Sequence, residues 1–212
     1  MYQQYVSFLN SSKHIHLQNI DSLFFVGNKQ IISYRTLFKQ LSNISAPYTE
    51  QPVIAIQQQD PLVLFQMILC CWFSQKSVFI IPPNATQDEI EFAKENIPFD
   101  NIWKTTESSF ISRENYKLGP FYEDSEVIVQ TSGTTGRPKY IILNVKNIIY
   151  STRGLLDELN FKAGSSWGLS LPTHHVSGLM ILFRCFFNEG IVVDTGKIKN
   201  FNKPLPNFIS LV

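Results

Sequence analysis

Short apolar runs and longer, almost wholly apolar or amphipathic stretches alternate along the chain, separated by polar punctuation. Pro52-Val53-Ile54-Ala55-Ile56 is brief, β-branched and continuous, which predicts a strand buried on both faces. Asp60-Pro61 follows as an N-cap and an N1 proline, and Leu62 to Trp72 is apolar nearly all round, predicting a helix packed inside a layer. Val78 to Ile81 is the next strand, closed by Pro82-Pro83. Thr86 with Glu89 three residues on predicts a capping box and a helix to about Asn96.

Between Ile97 and Ser125 the pattern weakens, leaving one short strand near Asn101 to Lys104. Regularity returns with strand Val127-Ile128-Val129, a small-residue loop from Gln130 to Pro138, and strand Tyr140 to Leu143. Asn144 can cap a helix through Leu159. A strand over Trp167 to Leu171, an apolar helix from Val176 to Asn188 ended by Gly190, and a strand at Ile191 to Val193 complete the series. Strands alternating with helices predict an α/β fold, a mostly parallel sheet flanked by helices. Phe208 to Val212 reads as the opening of another buried strand, so the sequence is expected to be a fragment.

Composition narrows the function classes. The 212 residues carry 18 Lys plus Arg against 17 Asp plus Glu, a formal charge of +1. No global field draws such a chain to nucleic acid or to an anionic membrane. Its longest apolar stretch, Leu62 to Phe73, is interrupted by Gln66 and falls short of the about 18 residues of a membrane span. Three cysteines, Cys70, Cys71 and Cys185, sit in apolar runs and form no disulfide framework, which predicts core residues in a reducing, cytoplasmic compartment.

The strongest chemical signal is Thr131-Ser132-Gly133-Thr134-Thr135-Gly136-Arg137-Pro138-Lys139. Gly133 and Gly136 let the backbone turn its N–H groups inward. Thr131, Ser132, Thr134 and Thr135 supply hydroxyl donors, and Lys139 supplies a point charge. That inventory suits a polyphosphate. A Walker A loop would end Gly-Lys-Ser/Thr, whereas Pro138 stands five residues after Gly133, and proline opposes a helix beginning directly from the loop. A plain surface turn with a solvated Lys139 is the competing reading.

This block resembles the phosphate-binding signature of the adenylate-forming superfamily of acyl- and aryl-CoA synthetases, peptide-synthetase adenylation domains and luciferases. Tyr34-Arg35-Thr36-Leu37 is similar to the early Tyr-x-x-Leu segment of that family. Leu171-Pro172-Thr173-His174-His175-Val176-Ser177-Gly178 is similar to its Leu-Pro-x-x-His-x-x-Gly, which makes His175 rather than His174 the residue bordering the acyl pocket. His-Val-Ser-Gly-Leu followed by Ile181-Leu182-Phe183-Arg184 most resembles the o-succinylbenzoate–CoA ligases of menaquinone biosynthesis, and Arg184 inherits a substrate-binding role from that resemblance.

The resemblance implies that residues 1–212 are the N-terminal portion of an AMP-binding large domain. The rest of that domain, including a Tyr-Gly-x-Thr-Glu block, a ribose-binding aspartate and a hinge, is not in the sequence, nor is a small C-terminal domain with its lysine. It implies an acid–CoA ligase that uses ATP, Mg²⁺ and coenzyme A on a small carboxylic acid, with catalytic roles for Lys139 and His175 and a homodimer admitted. Little activity is expected of the 212 residues alone. His175 either donates to an oxygen or gates the pocket. Arg184, on an otherwise apolar helix, is a structural ion pair or, the favoured reading, a carboxylate clamp. The adjacent His174 and His175 diverge and have no carboxylate or cysteine at ligand spacing, so no metal is assigned to them. Competing functions are a general acyl- or aryl-CoA synthetase, a carrier-protein-loading adenylation domain, and a non-catalytic α/β binding module with an inert loop.

Overall fold

The computed structural model of the chain describes residues 17–27, 30–104, 124–131, 137–195 and 205–210. Its elements in chain order are β1 (Leu23–Val26), β2 (Ile31–Ser33), α1 (Tyr34–Leu41), β3 (Val53–Ile56), α2 (Pro61–Phe73), β4 (Ser77–Ile80), α3 (Gln87–Asn96), β5 (Ile102–Trp103), β6 (Glu126–Thr131), β7 (Lys139–Asn144), α4 (Val145–Glu158), β8 (Ser166–Leu169), α5 (Val176–Phe187), β9 (Ile191–Asp194) and β10 (Phe208–Ile209). The chain forms two compact units, residues 1–40 with 147–212, and residues 41–146. Each holds its own five-stranded sheet. The α/β expectation holds, with strands divided between two sheets instead of one.

The unit of residues 41–146 has strand order β5-β3-β4-β6-β7. All neighbours are parallel except β6 and β7, which form an antiparallel hairpin from Glu126↔Asn144 to Thr131↔Lys139. Asp60 accepts from the N–H groups of Leu62 and Val63 at 2.9 and 3.0 Å, so α2 starts where the Asp-Pro pair predicts. Every residue from Leu62 to Phe73 is buried, and the Trp72 indole N–H donates to the Glu126 carbonyl at 3.2 Å. The Thr86–Glu89 capping box at the start of α3 is complete in both directions. A core of Val53, Ala55, Phe79, Ile81, Ala93, Ile97, Phe99 and Ile128 joins β3, β4 and β6 to α3.

The other unit orders its strands β10-β8-β9-β1-β2, with β1 and β2 antiparallel and the other neighbours parallel. Strand β1, the apolar run Leu23-Phe24-Phe25-Val26 before Gly27, was not among the predicted strands. The Tyr-x-x-Leu segment is structural: Tyr34 and Leu37 are fully buried, and the Tyr34 hydroxyl donates between the carbonyls of Cys185 (2.8 Å) and Gly190 (2.9 Å). Burial, then the nearby Cys185 and Glu189, push that phenol well above its usual range.

Three helices stop in the same way without using glycine at the turning residue. Gln75 (φ 58°), Asn160 (φ 50°) and Glu189 (φ 53°) are left-handed. In each case the next N–H returns five residues: Lys76 to the Cys71 carbonyl, Phe161 to Leu156 and Gly190 to Cys185. This is the Schellman closure. Gly190 therefore ends α5 one residue later than a glycine cap would. Its lack of a side chain is needed because a Cβ there would lie 2.6 Å from the Phe161 ring. The buried Glu189 carboxylate accepts from Gln18 N–H (2.7 Å), Asn19 N–H (2.8 Å) and Ser22 Oγ (3.0 Å), tying the start of the described chain to the end of α5.

Candidate functional site

The hydroxyl- and glycine-rich loop spans the tip of the β6–β7 hairpin. Ser132, Gly133, Thr134, Thr135 and Gly136 lie outside the described residues; both limbs are described. Thr131 closes β6 opposite Lys139, and its hydroxyl donates to the Lys139 carbonyl at 3.4 Å. Because β6 runs parallel to β3, β4 and β5, the loop leaves from the carboxyl end of the parallel strands. Ligands of open α/β sheets gather at that end. After Pro138 the chain enters a strand, consistent with a proline that disfavours a helix there. Lys139 is exposed. Arg137 holds its guanidinium carbon 5.7 Å from the centre of the Phe92 ring on α3.

The second motif lies in the other unit. Leu171-Pro172-Thr173-His174 links β8 to α5 by a turn in which the His175 N–H donates to the Pro172 carbonyl at 3.1 Å. His175 occupies the N-cap of α5, is exposed, and makes no side-chain capping bond. Its ring lies 4.3 Å from that of half-buried His174. Burial, and secondarily the neighbouring His175, lower the proton affinity of His174. Gly178 explains its own place in the pattern. A Cβ there would sit 2.3 Å from the Pro172 carbonyl oxygen and 2.5 Å from that of Leu171, both backbone atoms, so only glycine lets this turn press onto the helix.

Arg184 lies further along α5. Its guanidinium carbon stands 5.1 Å from the centre of the Trp167 ring of β8. Its Nε is buried without a hydrogen-bond partner, and among the described residues no carboxylate pairs with it. The ion-pair reading of Arg184 thus finds no partner among them; an indole face takes its place. Burial lowers the proton affinity of the guanidinium, an effect partly opposed by Cys185. Trp167 is itself fixed by donation from its ring N–H to Ser210 Oγ at 3.2 Å and by the Phe161 and Phe208 rings at 5.8 and 5.5 Å. Sequence reasoning passed over Trp167, although a large aromatic residue on a strand beside an arginine-bearing apolar helix was a usable signal.

The three cysteines are buried and unbridged, and burial raises all three thiols, Cys70 to about 12. Among the described residues no group of His, Cys, Asp and Glu is arranged to hold a metal ion, and no helix is long and apolar enough to cross a membrane.

A family model described as AMP-binding enzyme matches residues 54–205. The chain belongs to the AMP-binding enzyme family. Curated relatives within this family include the 2-succinylbenzoate–CoA ligase of Enterococcus faecalis, 25% identical over 154 residues that cover 64% of this chain and 32% of the relative. Another is the 2-succinylbenzoate–CoA ligase of Staphylococcus epidermidis, 23% identical over 194 residues, covering 82% and 40%. The chain thus spans about a third to two fifths of the length of these relatives. Among solved structures, the o-succinylbenzoate coenzyme A synthetase of Bacillus subtilis in complex with ATP and magnesium shares the fold at a TM-score of 0.71 and 18% identity, over 88% of this chain and 44% of that one. ATP-bound MatB of Rhodopseudomonas palustris shares it at 0.70 and 16%, over 89% and 44%.

Proposed function

We propose that the chain is the N-terminal portion of an ATP-dependent acid–CoA ligase that first forms an acyl-adenylate and then a CoA thioester, with o-succinylbenzoate as its acid. The observation that carries this reading is the Thr131–Lys139 loop at the carboxyl end of a parallel sheet, in a chain of the AMP-binding family. In the first half-reaction the substrate carboxylate attacks the α-phosphate of ATP and pyrophosphate leaves; in the second the CoA thiol displaces AMP. Such chemistry needs positioning and charge stabilisation rather than a covalent protein group. Thr131, Ser132, Thr134 and Thr135, with the amides of Gly133 and Gly136, are assigned to the phosphates. Lys139 supplies the fixed positive charge, and Mg²⁺ arrives with the nucleotide.

His175 is assigned to the border of the acyl pocket, where its imidazole donates to an oxygen or gates entry. Arg184 is assigned to a carboxylate of the acid, which its planar fork receives through two parallel bonds. The fold does not select the acid, because the TM-scores to the B. subtilis synthetase and to MatB are nearly equal. The named activity of the curated relatives and the unsatisfied Arg184 Nε favour a dicarboxylic aromatic acid over the acids of a general acyl-CoA synthetase or a carrier-protein-loading domain. The unbridged thiols and the free nucleotide and CoA the reaction consumes support a cytoplasmic setting. A homodimer is compatible with this chemistry and is not required by it.

The test is thioester synthesis by the protein expressed with whatever coding sequence follows Val212, supplied with ATP, Mg²⁺, CoA and a panel of acids. Selective turnover of o-succinylbenzoate supports the reading. Equal turnover of monocarboxylic acids replaces it with a general synthetase, and absence of any adenylate with any acid overturns it. The 212 residues alone are expected to give little or no thioester.

A further inference from the structure

The limb of the loop that returns into β7 is held from outside by a stack of rings. Arg137 lies over Phe92 at 5.7 Å. Phe92 stacks on Tyr140 with centroids 6.3 Å apart and planes 26° apart. Tyr140 meets Phe79 edge-on at 5.6 Å and 85°, and Phe79 packs against Phe99 at 5.7 Å within the buried core. The line runs from an exposed cation, through a half-buried ring on α3, into the middle of the sheet. Its two contacts with the loop limb, Arg137 and Tyr140, bracket Lys139.

The backbone of Lys139 and Tyr140 is paired with Thr131 and Gln130 of β6, and the side chains of Arg137 and Tyr140 are held by ring contacts. Among the described residues Arg137 makes no ion pair, and the Tyr140 hydroxyl is buried without a hydrogen-bond partner, so that side chain is placed by packing against the neighbouring rings and the core cluster. On a helix the neighbours of Phe92 at three and four positions are Asp88, Glu89, Glu95 and Asn96, so the ring lies on an acidic face that favours a cation above it. Arg137 is exposed and its side chain is directed to α3.

We propose that Arg137 and Phe92 form a latch, with Tyr140 as its base, that fixes the β7 limb of the loop and thereby positions Lys139. Arg137 is on this view a positioning residue, and the cation of the loop that meets the anionic ligand is Lys139 alone. The consequence for ATP rests on the ligase reading above; the latch itself does not.

Hydrogen exchange on the 212-residue chain without nucleotide tests the latch directly. Arg137→Gln and Phe92→Leu should each speed exchange at the Arg137, Lys139 and Tyr140 amides about two- to fivefold, the range set by an exposed cation–π contact. The double variant should be no faster than either single one, because both remove the same contact. Phe92→Tyr should exchange like the parent and Phe92→Trp more slowly. Arg137 is exposed, so its replacement leaves the fold intact and the test does not hinge on Phe92→Leu folding. Unchanged exchange in Arg137→Gln, or single effects that multiply in the double variant, overturns the latch. In the protein carrying its downstream sequence, half-saturation by MgATP should rise in the same order while half-saturation by the acid stays put. A latch seen by exchange with no adenylate formed by the parent would sink the ligase reading and leave the latch standing; exchange-silent variants with normal adenylate formation would do the reverse.

Discussion

Helices α2 and α5 are both strongly apolar and both buried along most of their length, yet they are built to different rules. α2 opens on Asp60, which satisfies two of its free N–H groups, has proline at its first position, and contains no charged residue. α5 opens on His175, which caps nothing, needs a glycine at Gly178 to admit the Leu171-Pro172 backbone, and carries Arg184 with a buried Nε that no described group satisfies. A helix selected only for packing would resemble α2. Two of these departures, His175 and Arg184, fall on residues proposed for the substrate, the distribution expected where function is retained at the expense of local stability, while Gly178 shapes the turn that carries His175.

Substitutions that make either helix more like the other sharpen this contrast. The largest effect is expected at Gly178. Gly178→Ala drives a methyl group into two backbone oxygens and should cost several kcal/mol, about 3 or more, in urea-induced unfolding. A near-normal midpoint would mean that the turn relaxes freely and the glycine has another cause.

Arg184→Met comes next. Replacing a half-buried cation with an apolar chain of similar reach should leave stability unchanged or slightly higher. It should also lower the specificity constant for o-succinylbenzoate about ten- to a hundredfold, the worth of a charge-assisted bond, with much smaller losses on monocarboxylic acids. Equal losses on every acid would make Arg184 structural. His175→Asp gives α5 the cap that α2 already has, and should raise stability by about 1 kcal/mol while lowering adenylate formation; Asp60→Ala should lose about the same amount at the other helix. Stability lost in His175→Asp would show that the imidazole supports the fold.

Smaller still is a pH effect at His174. Its protonation is disfavoured in the folded chain relative to the usual 6.5, so below that pH the unfolded chain binds more protons and stability falls. Above 6.5 the contribution is fully present. Unfolding midpoints from pH 7.5 to 5 should show a downward slope that His174→Gln reduces, and an unchanged slope would place its origin in other groups.

What the sequence disclosed follows the range of the interactions involved. The Asp60 cap and the Thr86–Glu89 box are complete within a few residues, so they can be read from the text and are found in place. The loop with its flanking strands is equally local. The division into two sheets was illegible because its boundaries, after Gln40 and after Lys146, fall inside helices and not in a linker of distinctive composition. Strand β1 was legible as a short apolar run and passed over, whereas its pairing with β9, far along the chain, could not be read locally. At the candidate site, Arg184 was visible as a charge on an apolar helix, but the indole beneath it comes from another element. The helix ends were placed within a residue or so, but their left-handed capping residues escaped notice for a chemical reason: Gln75, Asn160 and Glu189 accept the strained turn that glycine would adopt without cost.

The pairing of β1 with β9 also sets a timetable for synthesis. Strand β1 leaves the ribosome well before its parallel neighbour, since Phe25 pairs with Val192 and Val26 with Val193. At ordinary elongation rates that interval is roughly ten to thirty seconds, during which Phe24 and Phe25 have no permanent place to go. Residues 41–146, by contrast, contain every strand of their own sheet and can fold while the nascent chain is still being extended.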